Sequence, residues 1–256
     1  MKLTFLGSGS AFAVDDNFHS NVLVEAPSGK KLLIDCGSDA RRSLAAVGFG
    51  HDDIDAVYIS HLHSDHSGGL EWLAFTTKFS RSCHRPKLII HESMTNTIWD
   101  NQLSAGLKPL GDISANLNTF FEVIPVKKSF EWEGTVFDLV RTMHVKEASK
   151  WVLTFGLFFA IGNVRVLYTS DTQFSPEHYM PYFERADLIF QDCETATPLS
   201  GVHATYAQLK SLPDHIRAKM WLYHYNPGRL PRAERDGFLG FVKCGQVFEF
   251  EEAGED

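Results

Sequence analysis

Three imidazoles and a carboxylate fall within the run His61-Leu62-His63-Ser64-Asp65-His66. Side chains two apart in extended chain point the same way, so His61 and His63 can bind one ion. Asp65 and His66, placed after the chain turns, can reach a second. Imidazole mixed with carboxylate suits a borderline divalent metal, zinc first and manganese second. A polar loop that merely contains three histidines is the plain alternative. It loses ground because ligands of the same kind recur: His144 follows Val140-Arg141-Thr142-Met143, Asp171 follows Val166-Leu167-Tyr168-Thr169-Ser170, and His224 follows Met220-Trp221-Leu222-Tyr223. Together they supply three nitrogens to the first ion and two nitrogens with a carboxylate to the second, leaving Asp171 to bridge. Cysteine is not needed: Cys36, Cys83, Cys193 and Cys244 are scattered without C-x-x-C spacing, which suggests neither a cysteine zinc site nor a disulfide framework.

Each of these polar residues ends an apolar run, and strand ends are what could gather them on one rim. Ala56 to Ile59 precedes the first cluster. Further strands are expected over residues 2–6, 21–25, 31–34, 87–90, 121–125, 135–140, 152–160, 164–168, 188–191, 220–223 and 247–250, with Pro27-Ser28-Gly29 and Gly162-Asn163 as hairpin connections. Helical spacing predicts helices over residues 40–47, 68–79, 94–103, 206–212 and 232–241. Sheets packed together with helices outside is the economical architecture, and the 256 residues are read as one domain, 1–256.

A chain with 44% hydrophobic and 22% charged residues should fold rather than remain disordered. Its formal charge of -8 argues against a broad basic face, so nucleic acid is a possible but not a preferred partner. Bound divalent ions would reverse that sign inside one cleft. The apolar stretch at Met1 to Ser8 is too short for a signal-peptide core and no later stretch reaches membrane-spanning length, which predicts a soluble cytoplasmic protein with no membrane partner.

The pattern H-x-H-x-D-H, followed by single His, Asp and His ligands, resembles the metallo-β-lactamase fold superfamily over nearly the whole chain. The resemblance implies an α/β fold, an αββα sandwich of two packed mixed sheets with helices on the outer faces and metals at one edge. It also implies that Asp35, in Leu33-Ile34-Asp35-Cys36-Gly37, supports the metal ligands without binding metal itself; a turn Asp before Gly37 is the alternative. True β-lactamases of the superfamily often replace a ligand with Cys or Asn, whereas this chain keeps the hydrolytic set. Leu6-Gly7-Ser8-Gly9-Ser10-Ala11, Ser20-Asn21, Tyr168-Thr169-Ser170-Asp171-Thr172, and Asp192-Cys193-Glu194-Thr195 followed by His203-Ala204-Thr205 are similar to the RNase Z-like branch. In that branch a Glu and a later His cooperate near the scissile phosphate. This implies catalytic roles for Glu194 and His203 beside Asp65, with His203 oriented by Glu194; helix capping ahead of Tyr206 is the plain alternative. Ala204 departs from the Ser usual in that motif.

The expected activity is a dinuclear metal-dependent phosphodiesterase. Two ions would share a water whose pKa falls to about 7 and neutralise charge growing on the phosphoryl oxygens. Asp65 would orient or deprotonate that water, and His203 would stabilise the phosphoryl group or protonate the departing oxygen. Bacterial transfer-RNA processing enzymes of this branch carry a long arm between the third-histidine motif and the bridging Asp, where this chain has one hairpin. Compact members include cyclic-nucleotide phosphodiesterases, among them phage-encoded proteins of the anti-Pycsar type that degrade cyclic-nucleotide immune signals, so a 3',5'-cyclic nucleotide is the substrate expected. The alternatives are an armless RNase Z-like endoribonuclease acting on transfer-RNA 3' ends, a lactone or thioester hydrolase using the same metals, and a noncatalytic binding protein. Trp72, Phe75, Trp99, Phe120, Phe121 and Trp132 read first as core and second as a base-stacking wall or dimer surface. The loop from Gly106 to Asn118 is expected to act as a lid or to reach a partner subunit in a homodimer.

Overall fold

Fourteen strands build two sheets in the computed structural model, which describes residues 1–15 and 17–251. The first sheet contains β1 (Lys2–Phe5), β2 (Val22–Glu25), β3 (Lys31–Ile34), β4 (Ala56–Ile59), β5 (Lys87–His91) and β6 (Glu122–Val126). The second contains β7 (Ser129–Trp132), β8 (Thr135–Arg141), β9 (Phe155–Ile161), β10 (Val164–Tyr168), β11 (Leu188–Asp192), β12 (Met220–Tyr223) and β13 (Gly240–Phe241). The last strand, β14 (Val247–Glu249), returns to the first sheet beside β1.

Both sheets change from antiparallel to parallel partway across. Pairs β1/β2 and β2/β3 are antiparallel and β3/β4, β4/β5 and β5/β6 parallel. Pairs β7/β8, β8/β9 and β9/β10 are antiparallel and β10/β11, β11/β12 and β12/β13 parallel. Parallel strands send their carboxyl ends to one edge, where α/β sheets place ligands. The β9–β10 hairpin pairs Ile161 with Val164 and closes on Gly162-Asn163, with Gly162 in the left-handed region at φ 55°, as a two-residue turn requires.

Strand alternation explains the layering. On β4, Val57 and Ile59 join the apolar layer shared with the helices Ala40–Ala46 and Leu70–Phe79, while Ala56 and Tyr58 join the layer between the sheets. Successive side chains leave a strand on opposite faces, so a strand apolar throughout needs cover on both sides. A third layer packs the other face of the second sheet against the helix Pro176–Arg185 through Tyr179 and Phe183. The αββα sandwich of the metallo-β-lactamase fold is therefore present, and among the described residues no helix is long and apolar enough to cross a membrane.

Local expectations failed where glycine or helix phasing intervenes. The helix expected over 232–241 is only a 3-10 turn, Ala233–Asp236, because Gly237 turns left-handed at φ 87° and the chain then enters β13. The helix expected over 68–79 begins at Leu70, and a separate short helix, Ser64–Ser67, precedes it. Helix Pro176–Arg185 is an addition to the expected elements; Pro176 lies in its first turn, a position that needs no backbone N–H, and Pro181 lies inside it. Between His144 and Asp171 lies a small ribbon, Lys146–Glu147 with Lys150–Trp151, besides the expected hairpin.

Candidate metal centre

Strand β4 ends at Ile59, and the chain then lays His61 and His63 along the rim before turning into Ser64–Ser67, which carries Asp65 and His66. Three other strand ends deliver His144, Asp171 and His224. Ser170 and His224 both adopt left-handed backbone, at φ 53° and φ 61°, and so does Asp35 beyond β3, at φ 62°. Such conformations are costly for non-glycine residues and concentrate at functional sites.

Two donor clusters result from the expected ligands, and a third group joins Asp171 and His224 to Asp192 and His203. In the first, His61 Nε2 lies 3.1 Å from His63 Nδ1, His144 Nε2 lies 3.2 Å from His63 Nδ1, and Asp171 Oδ2 stands 3.7 Å and 3.5 Å from His61 and His144. In the second, His66 Nε2 is 3.2 Å from both Asp65 Oδ2 and Asp171 Oδ2, and His224 Nε2 is 3.2 Å from Asp65 Oδ2 and 3.4 Å from Asp171 Oδ1. Donors held at about 2.0–2.1 Å by one tetrahedral ion are about 3.3 Å apart. The observed spacings match that edge length, and Asp171 belongs to both clusters.

Hydrogen bonding on the outer side aims the imidazole lone pairs inward. Ser60 donates its hydroxyl and its N–H to Asp35, each at 2.8 Å, so its oxygen accepts from His61 Nδ1–H at 3.1 Å. Asp35 also accepts from His66 Nδ1–H at 2.8 Å, and His144 Nδ1–H donates to the Val202 carbonyl at 2.9 Å. In a neutral imidazole, fixing the proton on one nitrogen leaves the other as an acceptor or metal ligand. Asp35 thus governs His66 directly and His61 through Ser60. The buried His66 Nε2 and Asp171 Oδ1 have no hydrogen-bond partner, a costly arrangement that a bound cation would satisfy.

Charge divides the clusters. Burial, with His66 nearby, holds His61 well below its ordinary pKa, and burial lowers His63 and His144 as well. Burial opposes protonation of His66 and His224 too, but Asp171 and Asp65 outweigh it. His66 is carried well above the ordinary value, and His224, which also has Asp192 beside it, rises to about 10. Without metal, protons on these imidazoles compensate the carboxylates; divalent ions would take their place.

His203 lies beside the clusters, with its ring centroid 4.9 Å from that of His224. Its Nδ1 is 2.7 Å from Asp192 Oδ2, while Asp192 Oδ1 is 3.3 Å from His224 Nδ1. The expectation that Glu194 orients His203 is therefore corrected. Glu194 lines the same cleft, but one of its oxygens accepts the Ser200 N–H at 2.7 Å and the other is buried without a hydrogen-bond partner. Sequence reasoning missed Asp192 in favour of the Glu in its motif. A signal for it exists: like the ligands, Asp192 is the polar end of an apolar strand.

The cleft over these groups encloses about 230 Å³ and is lined by His63, Asp65, His144, Asp171, Glu194, His203 and His224 together with Ser10, Phe12 and Asn226. Sites that engulf drug-sized ligands run to roughly 300–1,000 Å³, so a ligand of that size would place only one end inside and the remainder along the rim. The tryptophans and phenylalanines read first as core are found there, and none of them serves the second reading as a wall of this cleft. Phe120, Phe121 and Trp132 are buried core, and Trp72, Phe75 and Trp99 pack against the helix-side layer. The segment expected as a lid is a short hairpin, Pro109–Leu110 with Ile113–Ser114, set between helices and away from this cleft.

Fold and site together define a metallo-β-lactamase fold protein with a metal-competent centre. Among solved structures it is similar to the metallo-β-lactamase fold protein YhfI from Bacillus subtilis, at TM-score 0.76 and 20% identity over 97% of this chain and 99% of the other. It is also similar to a diphosphatase from the PhnP family, at TM-score 0.74 and 23% identity over 99% of both chains. The chain belongs to the Anti-Pycsar protein Apyc1 family, whose model matches residues 1–248. The Anti-Pycsar protein Apyc1 of Paenibacillus harenae is 34% identical over 97% of this chain and all of its own length, and that of Bacillus phage 010DV004 is 32% identical over 97% and 98%.

Proposed function

We propose that this chain is a single-domain, dinuclear phosphodiesterase of the cytoplasm that hydrolyses 3',5'-cyclic nucleotides. The observation that carries the reading is the pair of donor clusters sharing Asp171, with an Asp192-held imidazole, His203, on the same cleft. The name of the family, given to relatives at 30–34% identity over nearly the full chain, supports a cyclic nucleotide as substrate.

Two divalent ions, zinc before manganese, would supply Lewis acidity toward a phosphoryl oxygen and an acidified water. His61, His63 and His144 would hold one, Asp65, His66 and His224 the other, with Asp171 between. The chain's own groups account for the rest. Asp65 lines the cleft and can accept the proton of the attacking water while it keeps its hold on the second cluster. His203, raised in pKa because Asp192 outweighs the effect of burial, is a proton donor for the departing ribose oxygen. Asp35 and Ser60 hold His61 and His66 in the ligating tautomer. Glu194 shapes the cleft wall from a position anchored by Ser200.

The test is metal analysis followed by parallel assays on cyclic AMP, GMP, CMP and UMP, precursor transfer RNA and a lactone. Hydrolysis of a cyclic nucleotide to its monophosphate is expected. Turnover of transfer RNA or lactone alone would overturn the reading. A homodimer is part of the same reading, supported by the exposed Ile113 on the 109–114 hairpin, and light scattering that gives only monomer would refute it.

A further inference from the structure

An aromatic ring stands open on the rim of the metal cleft. Phe12 is 72% exposed yet lines the cavity that contains Asp65, Asp171 and His203. Burying such a side chain is favourable, and this one, unlike the exposed Phe79 or Ile113, stands where a ligand in the cleft would cover it.

The backbone beneath it is anchored. Gly9 N–H donates to the Phe18 carbonyl at 3.0 Å, Ser10 N–H to the Tyr225 carbonyl at 3.0 Å, and Ala13 N–H to the Ser10 carbonyl at 2.9 Å, closing a turn with Phe12 near its tip. Ser10 Oγ accepts the Phe12 N–H at 3.3 Å and receives Asn226 Nδ2–H at 3.3 Å, so the turn is tied to the segment that follows His224. The base of the loop is close-packed, since a Cβ on Gly7 would come within 2.2 Å of the Phe18 carbonyl oxygen. A bare ring on a braced backbone is prepared for a flat ligand, because little ordering remains to be done on binding.

Resting on the cyclic-nucleotide reading, we propose that Phe12 is the base platform of this site: its face stacks on the nucleobase while the phosphodiester sits at the donor clusters. The enclosed volume accommodates the phosphate end and leaves the base at the rim where Phe12 stands. Stacking accepts any base, since each presents a π face. Phe12 therefore selects nucleotides over other phosphodiesters without itself choosing among bases.

The experiment compares wild type with Phe12→Ala, Phe12→Leu and Phe12→Trp on a 3',5'-cyclic nucleotide and on the base-free 1-deoxyribose 3',5'-cyclic phosphate. The substitutions are on an exposed side chain, so Tm and metal content should hold. Loss of stacking predicts a KM for the cyclic nucleotide raised about 5- to 150-fold in the Ala variant. The Leu variant should behave likewise, Trp should restore wild-type KM, and kcat and the base-free substrate should be unaffected. Unchanged KM in the Ala variant, or an equal loss on the base-free substrate, would overturn the platform while leaving the phosphodiesterase reading intact. A shift from dimer to monomer with KM unchanged would give the ring to a second copy of the chain instead. Wild-type protein inert toward every cyclic nucleotide would end both readings.

Discussion

Asp65 is the residue on which most depends, because its Oδ2 lies 3.2 Å from both His66 and His224 while the side chain also reaches the cleft. Asp65→Ala is expected to abolish turnover and to lower metal content at the second cluster, measured by elemental analysis. His203 is outside both ligand clusters that share Asp65 or His61, so His203→Ala should keep its metal and lose roughly 10²- to 10⁴-fold in kcat, the range for a general acid; loss of metal would reassign it to structure. Metal loading should also depend on pH. With His66 raised and His224 at about 10 in the metal-free protein, protons compete with the ions, so apparent affinity should rise with pH and loading near pH 7.5 should release protons in weak buffer. The sign for stability is opposite: charged His224 stabilises the metal-free fold fully below its ordinary 6.5, and that contribution fades as pH rises toward 10. Calorimetric titration in buffers of different ionisation enthalpy measures the proton release.

At the scale of elements, the site is made by short segments just past strand ends, and close backbone contacts hold those segments in register. Gly37 follows β3, and a Cβ there would stand 2.2 Å from the Asp65 carbonyl oxygen. Its N–H donates to Asn21 Oδ1, and Cys36 N–H donates to the His66 carbonyl at 2.7 Å. Gly37→Ala must push the His63–His66 segment away, so metal affinity should fall even though no ligand is altered, while the apolar layers keep their strands. Asp35→Asn is expected to cost about 10- to 100-fold in metal affinity, the usual penalty for losing a partner that orients a ligand. Competition with a chelating dye reads both variants, and wild-type affinity in either would show that the segment is held from elsewhere.

For the whole molecule, each cluster draws donors from both sheets: His61, His63, Asp65 and His66 follow β4, whereas His144, Asp171 and His224 follow strands of the second sheet. A bound ion therefore joins the two halves across the edge where the layer between the sheets ends. Ligand that binds only the folded state stabilises by about 2.7 kcal/mol at 100 times its Kd. For a chain of this size each kcal/mol moves Tm by roughly 2–4 °C. Chelation by EDTA should accordingly lower Tm by about 5–10 °C per vacated site in differential scanning calorimetry, and an unchanged Tm would mean that the ions do not bridge the halves.

The seven residues expected as ligands are legible in the sequence because metal chemistry restricts donor types and because polar residues ending apolar runs are conspicuous in a linear text. The layered fold follows from the same runs, since a strand apolar on both faces must be covered twice. Which carboxylate holds His203 is not legible there: Asp192 and Glu194 are two residues apart, and only the direction in which β11 ends decides that Asp192 meets the imidazole while Glu194 is anchored by Ser200. Phe12 is equally hidden, since nothing along the chain distinguishes an exposed aromatic from the buried Phe120 or Phe121. Residue type and spacing thus determined which metal donors this protein offers, while contacts between residues far apart in the chain decided how the site is oriented and what stands at its mouth, because direction and exposure exist only after the sheets have packed.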